Sequence, residues 1–514
     1  MTFITAAIMH RITCFGLLVH SITMTHRLAL AAAVLVSVSP LRAQAQPHFT
    51  PLQPALLGLG GSFTNAVADY DGDGDLDLFV GFGGSPNRLY RNDAGVLTDV
   101  AAALGVADSR AVRSAAWADY DSDGDPDLLV GFAPGGTSVL TLYRNDGTRF
   151  TDVTVDAGVA VPTGGVRQFS FVDFDGDDDL DLFVAFRDRV NALFRNTGAR
   201  FVEMADSVGL ADPRKSVGAL WADADEDGDL DLIVANQDGD ANALFRNDGA
   251  RFTDVAEAMG VAWGGRAPGL ATNGSVRPCA DDVDGDAHLD LFFANYGPNG
   301  LFLKRGARFD DVSSAWGIAT DGRYDACAFA DIDHDGALDL YVNGTVTGGT
   351  NYPDFLYRNA AGRYTAVTPD SLKALQADHG VLWFDIDRDG DLDLALTGAQ
   401  STGMHLVLRN DLDAAAARRS LAVRIVDARG RATRAGAEVR LFAAGTRRHL
   451  GTRLVDTGSG YNAQSEMPVH FGLATMQRVD VEVTWPARGR RRVVRVRDVN
   501  PRRHMGGTLQ VTVP

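Results

Sequence analysis

Short apolar runs recur along the chain, rich in β-branched and aromatic residues. They read LDLFV at Leu76–Val80, PDLLV at Pro126–Val130, LDLFV at Leu180–Val184 and LDLIV at Leu230–Val234. Runs with apolar residues at successive positions predict strands covered on both faces. Each is followed by an Asn-x-Leu-aromatic-Arg-Asn segment, as in Asn87–Asn92, Asn191–Asn196 and Asn242–Asn247. A turn such as Asn247-Asp248-Gly249 comes next, then a short strand opened by an aromatic, for example Phe252. Repeated short strands with Gly, Asn and Asp turns predict an all-β array.

The polar positions before each apolar run are more regular still. A D-x-D-x-D-G-x-x-D-L pattern occurs seven times, starting at Asp69, Asp119, Asp173, Asp223, Asp282, Asp331 and Asp385, at intervals of 50, 54, 50, 59, 49 and 54 residues. That period suits a four-stranded propeller blade with its loops. The last copy runs through Leu408-Arg409-Asn410-Asp411 without its own aromatic-Thr-Asp strand. The missing piece stands at the other end, in His48-Phe49-Thr50-Pro51, and predicts that this strand completes the seventh blade. A closed ring leaves no long strand edge exposed. The expected fold is an all-β, seven-bladed β-propeller over residues 46–413.

The seven loops serve as internal replicates. Positions 1, 3, 5 and 9 are aspartate in every copy: Asp69, Asp71, Asp73 and Asp77; Asp119, Asp121, Asp123 and Asp127; Asp173, Asp175, Asp177 and Asp181; Asp223, Asp225, Asp227 and Asp231; Asp282, Asp284, Asp286 and Asp290; Asp331, Asp333, Asp335 and Asp339; Asp385, Asp387, Asp389 and Asp393. Position 7 varies, being His288 in the fifth copy and Ala337 in the sixth. A hard cation with six to eight oxygen ligands explains the difference, because a loop of this kind takes its position-7 ligand from a backbone carbonyl. Up to seven Ca²⁺ are expected. Mg²⁺ prefers a tighter octahedron, and no Cys/His set is present for softer metals. Position 6 calls for a sharp turn; Asp178 and Ala287 replace glycine there in the third and fifth loops, and alanine tolerates positive φ less well, which makes the fifth site the weakest.

Charge supports this division. From residue 414 onward there are nineteen arginines, no lysine and seven acidic residues, a net of +12, which leaves −34 on residues 46–413. Such a charge opposes folding unless cations neutralise it, and it argues against a nucleic-acid partner. Residues 1–45 hold no acidic residue and three arginines, with an apolar stretch from Leu28 to Val38 and Ala43-Gln44-Ala45 after it. This is the layout of an export signal, with Met24 a candidate start, and it is too short to span a bilayer. The mature chain is expected to be secreted or periplasmic, with no membrane span. Cys279 and Cys327 are then its only cysteines. They stand three and four residues before neighbouring motifs, and that opposite parity sets them on opposite strand faces, which weighs against a bridge.

After an Ala414–Ala417 linker, apolar alternation in Leu421–Val426, Ala437–Phe442, Val479–Trp485, Val493–Val496 and Leu509–Val513 predicts a small antiparallel β-sandwich at residues 414–514. The acidic loops resemble FG-GAP (VCBS) repeats, as in integrin α-chain propellers. The spacing of Leu-Tyr-Arg-Asn-Asp-Gly and Phe-Thr-Asp-Val is similar to that of the cartilage acidic protein family. Thr457-Gly-Ser-Gly-Tyr461, Gln464-Ser465, His470-Phe-Gly-Leu473 and Trp485-Pro486 resemble its ASPIC/UnbV carboxy-terminal domain. The resemblance implies an extracellular calcium-binding propeller, with the loop aspartates as ligands and adhesion or matrix binding as the role.

These features favour a binding, adhesion or scaffold module with a protein or glycan ligand, in which calcium is structural. The alternative is a carbohydrate-active enzyme or an accessory protein of a biosynthetic cluster. Its candidates would be Tyr461, Glu466 and His470, for which a tight turn and a backbone-bonded buried histidine are the plainer reading. No nucleophile motif, phosphate loop or metal-and-base pairing is present, so no catalytic residue is assigned. The basic carboxy-terminal unit is expected to dock on its own acidic propeller, in preference to an external polyanion.

Overall fold

A computed structural model describes residues 46–514 except 199, 268, 271, 376–377 and 399–402; the expected export signal lies outside the described residues. Residues 46–514 form one compact unit. The first part is a seven-bladed β-propeller of four-stranded blades. In blade 1, strands Ser62–Ala68, Asp77–Phe82, Arg88–Asp93 and Val96–Asp99 pair antiparallel in sequence order. The innermost strand of each blade packs against that of the next, and the seventh packs against the first. Blade 7 consists of Asp378–Phe384, Asp393–Gly398, Leu406–Asn410 and, from the start of the chain, Phe49–Pro51. Phe49 stands opposite Asn410 in that last pairing, so the amino-terminal strand closes the ring.

The second strands explain the apolar runs. Asp77–Phe82, Asp127–Phe132 and Asp181–Phe186 are buried at every position, sandwiched between neighbouring blades. The core is therefore a series of interblade layers, such as the one joining Trp117, Phe132 and Phe150 to Ala66 and Phe79.

This stacking corrects the cysteine reading. Cys279 lies in Gly274–Asp281 of blade 5 and Cys327 in Asp321–Ala330 of blade 6, and they form a disulfide with Cα atoms 6.3 Å apart. Successive blades pack face against face, so the front of one inner strand meets the back of the next. Opposite parity is what a bridge between adjacent blades requires.

Residues 420–513 form a sandwich of two sheets. One orders Val469–Gly472, Ser420–Val426 and Thr508–Thr512; the other orders His449–Leu454, Glu438–Ala443, Val479–Pro486 and Arg491–Val499. Val423, Val439, Phe471, Val481 and Trp485 fill the space between them. The expectation of an antiparallel sandwich needs one correction, because Ser420–Val426 and Thr508–Thr512 run parallel. The intervening chain builds the second sheet and Val469–Gly472, then returns in the same direction.

Candidate metal centres and the channel

Each acidic loop joins the innermost strand of a blade to the second strand. Its shape comes from the aspartates themselves. The position-1 carboxylate accepts the backbone N–H of position 6 in all seven loops, as in Gly74 to Asp69 (3.1 Å) and Gly336 to Asp331 (2.9 Å). The position-5 carboxylate accepts the N–H of position 7, again in all seven. Position 9 accepts the N–H of position 2, as in Ala224 to Asp231 (2.9 Å). Position 6 is left-handed throughout, including Asp178 at φ 72° and Ala287 at φ 73°. Position 4 is left-handed too, and there Ser122, Glu226, His334 and Arg388 bear the conformation without glycine.

The loops gather oxygen. Carboxylates of positions 1, 3 and 9 bring one oxygen each within 4.8 Å of one another in Asp69–Asp71–Asp77, Asp119–Asp121–Asp127, Asp173–Asp175–Asp181, Asp223–Asp225–Asp231 and Asp282–Asp284–Asp290, and two further groups of this kind occur among the described residues. One oxygen each of Asp69, Asp121, Asp175, Asp333, Asp385 and Asp387 is buried with no hydrogen-bond partner. Buried anionic oxygens without partners are costly. Burial pushes the position-9 carboxyls up, to about 8 for Asp77, Asp231 and Asp290 and about 9 for Asp127 and Asp181. The position-1 carboxyls of Asp119, Asp173, Asp223 and Asp385 rise for the same reason, to about 6 for the first and about 7 for the other three. An all-oxygen set with spare buried lone pairs fits a hard divalent cation, which would supply the missing positive charge. Position-7 side chains vary in use: Asp75 accepts the N–H of Ala94 (2.9 Å) and Arg388 of the seventh loop (3.0 Å), Asp229 accepts the N–H of Gly489 (2.6 Å), and Asp391 is buried with both oxygens unpartnered.

One functional residue went unread in the sequence. The final Asn of each Asn-x-Leu-aromatic-Arg-Asn segment donates its backbone N–H to position 9, as in Asn145 to Asp127 (2.8 Å). Its side-chain amide reaches the position-2 carbonyl of the preceding blade: Asn145 to Tyr70 (2.8 Å), Asn247 to Phe174 (3.1 Å), and across the ring closure Asn92 to Ile386 (2.8 Å). Every loop is thus tied to the next blade. In blade 5 the tie is Lys304, whose ammonium meets the carbonyl of Ala224. The signal was the recurrence of this Asn in segments of otherwise varying length.

The basic sandwich sits on the loop face. Arg434 pairs with Asp178 (2.8 Å) and Arg491 with Asp223 (3.0 Å), while His449 lies 3.7 Å from Asp282. Ala487 donates to the carbonyl of Gly228 (3.1 Å) and His470 to that of Gly390 (2.9 Å). A Cβ on Gly228 would overlap the backbone of Arg490, and one on Gly472 would overlap Asp331. Between sandwich and loops remains a cavity of about 310 Å³, lined in part by Trp383, Phe329, Met467, Arg424, Arg453 and His470.

From this sandwich the segment Thr457–Glu466 threads into the central channel. Glu466 donates to Val67 (2.9 Å), Ala463–Gln464 pairs parallel with Ala115 and Ala116 of blade 2, Ser170 donates to the carbonyl of Thr457 (2.6 Å), and Gln464 accepts the N–H of Phe171 (2.6 Å). Tyr461 reaches the far end, stacked on His379 at 5.1 Å. The three catalytic candidates therefore do not converge. Glu466 lies at the loop end beside Arg424, and Tyr461 lies at the opposite mouth. His470 lies under the seventh loop, where burial lowers it to about 3 and removes it as a neutral-pH acid. Polar residues on inner strands, such as Gln168 and Ser170, were the sequence signal that the channel holds a chain.

Comparison with known proteins places these parts. The FG-GAP-like repeat family matches residues 69–130, 173–234 and 282–342, each match opening on an acidic loop, and the ASPIC and UnbV family matches residues 429–506. Cartilage acidic protein 1 of Mus musculus is 30% identical over 273 residues, covering 50% of this chain and 39% of that protein. Its Homo sapiens counterpart is 27% identical over 351 residues, covering 65% and 43%. The chain thus spans less than half the length of these curated relatives. Among solved structures, BBS1N in complex with ARL6DN has a TM-score of 0.43 at 10% identity, covering 72% of this chain and 99% of that one. The extracellular domain of a hybrid two component system of B. thetaiotaomicron has a TM-score of 0.44 at 11% identity, covering 85% and 51%. No helix among the described residues is long and apolar enough to cross a membrane.

Proposed function

We propose that this chain, a member of the family that joins FG-GAP-like repeats to an ASPIC and UnbV domain, is an exported, calcium-braced binding or scaffold module. The observation that carries the reading is the sevenfold recurrence of the aspartate loop, with positions 1, 3 and 9 converging in the first five copies and buried oxygens left without partners. Calcium at these loops is structural in this reading: it neutralises the carboxylates that shape each turn between the first and second strands. The Asn ties then pass that rigidity from blade to blade. The layout of residues 1–45 and the extracellular role implied by the resemblance support export. The carbohydrate-active alternative loses its candidate residues, since Tyr461, Glu466 and His470 stand apart.

The test is thermal unfolding of the mature chain with calcium in excess and with EDTA, together with metal counting by mass spectrometry. About seven calcium ions per chain and a clearly lower midpoint in EDTA are expected, because a native-state ligand at a hundredfold its Kd adds about 2.7 kcal/mol per site. An unchanged midpoint would sink structural calcium.

A further inference from the structure

The sandwich covers one face of the propeller, and the opposite mouth of the channel carries a different chemistry. Every innermost strand has a register break near its start, away from the aspartate loops. The residues at the break are Phe63, Arg113, Arg167 with Gln168, Val217, Val276, Asp325 and His379. A bulge frees one residue from the ladder and re-aims its side chain, and such bulges collect beside binding sites.

Six of these residues, Phe63, Arg113, Arg167, Gln168, Asp325 and His379, gather around the tip of the threaded segment. His379 stacks between Phe63 (5.7 Å) and Tyr461 (5.1 Å) and pairs with the buried Asp325. The Arg113 guanidinium lies 4.8 Å over the Phe63 ring, and its carbonyl accepts from Asn462 (3.1 Å). Arg277, fully buried, holds Asn462 (3.2 Å) and Gln168 and so fixes the tip. Among the described residues Arg113 and Arg167 have no acidic partner within salt-bridge distance, whereas Arg110, Arg195, Arg214 and Arg305 of the same propeller do. Burial and the neighbouring Arg167 both disfavour the charge on Arg113. Two partly exposed guanidiniums without counter-charge, beside partly exposed aromatic rings, make an anion site with an apolar wall. In a propeller whose net charge is −34, such a pair is not a by-product of composition.

We propose that this mouth binds a sugar bearing an oxyanion, a carboxylate or a sulfate ester, with Arg113 and Arg167 on the anion and Phe63 and Tyr461 against the ring. Arginine suits the task because its planar fork matches either anion in a bidentate way. The proposal rests on the reading of the chain as an exported binding module, and it gives the ASPIC and UnbV segment a part in the site, since Tyr461 comes from it.

The test is titration calorimetry of the calcium-loaded mature chain with glucuronate, with a 6-sulfated N-acetylglucosamine and with glucose, each at low and raised salt. Binding of glucuronate, of the sulfated sugar or of both, weakened by salt and absent for glucose, is expected; the two acid arms tell which anion is preferred. Arg113→Gln with Arg167→Gln should weaken it at least tenfold, and Arg113→Lys with Arg167→Lys, which keeps the charge and loses the fork, should fall between. The EDTA-induced shift in midpoint should persist in both double variants, which establishes that they fold. Absence of binding by either acid, equal binding of glucose, or unchanged affinity in the glutamine variant would overturn the proposal. A missing EDTA shift in the wild type would instead count against the calcium brace.

Discussion

At the scale of single residues, the loop aspartates do two things at once. They shape the turn by accepting backbone N–H groups, and they keep oxygens in reserve. Because burial raises the carboxyls of Asp77, Asp127 and Asp181 to about 8–9, these calcium-free loops hold protons at neutral pH. Calcium uptake at pH 7 should therefore expel protons, and affinity should rise with pH up to about 9 and fall as pH drops through that range. Calorimetry in buffers of differing ionisation enthalpy reads the released protons directly; identical heats in all buffers would contradict the assignment. The four aspartate positions and the turn at position 6 were legible because seven copies vary around them. Position 4 was not, since serine, glutamate, histidine and arginine give no hint of a left-handed backbone. Ala287 combines a left-handed φ of 73° with a Cβ, so Ala287→Gly should stabilise the fifth loop by about 0.5–1 kcal/mol and tighten calcium there. A chelator titration followed residue by residue should empty the wild-type Asp282–Asp290 loop before the others.

At the scale of elements, the interblade ties carry the weight. Asn247 donates to the carbonyls of Phe174 and Leu230, both in buried surroundings. Asn247→Ala leaves them unpaired and should cost about 1–3 kcal/mol, measured by denaturant midpoint, whereas Asp248→Ala in the adjoining exposed turn should cost far less. Strands and blade count were readable from periodicity, as was the ring closure at Phe49. The disulfide was misread because parity was applied to one sheet, whereas the two cysteines belong to facing sheets. Replacing both Cys279 and Cys327 by serine opens a 48-residue link between blades 5 and 6 and should lower stability by up to about 4 kcal/mol. A variant as stable as the oxidised wild type would show the link to be idle. Two sandwich strands, His449–Leu454 and Val469–Gly472, escaped the sequence reading because glycine, arginine and histidine interrupt their apolar alternation.

At the scale of the whole molecule, charge is arranged rather than merely balanced. The basic sandwich places Arg434, Arg491 and His449 against position-1 or position-6 carboxylates of three successive loops, so the sandwich meets the carboxylates that shape them. The sequence announced the opposite charges of the two parts. It did not announce that the sandwich sends a strand down the bore, since that depends on which polar inner-strand atoms lack partners once seven blades meet.

The ring closure also sets an order of events. The bond from Thr50 to Asp411 spans 361 positions, and the strand it secures is the earliest in the chain among the described residues. Until Leu406–Asn410 is made, Phe49–Pro51 has no edge to join. A three-residue strand ending in proline is poorly suited to pair with a stranger in the interval. The propeller thus behaves like a bracelet whose clasp is made before its links and fastened after them.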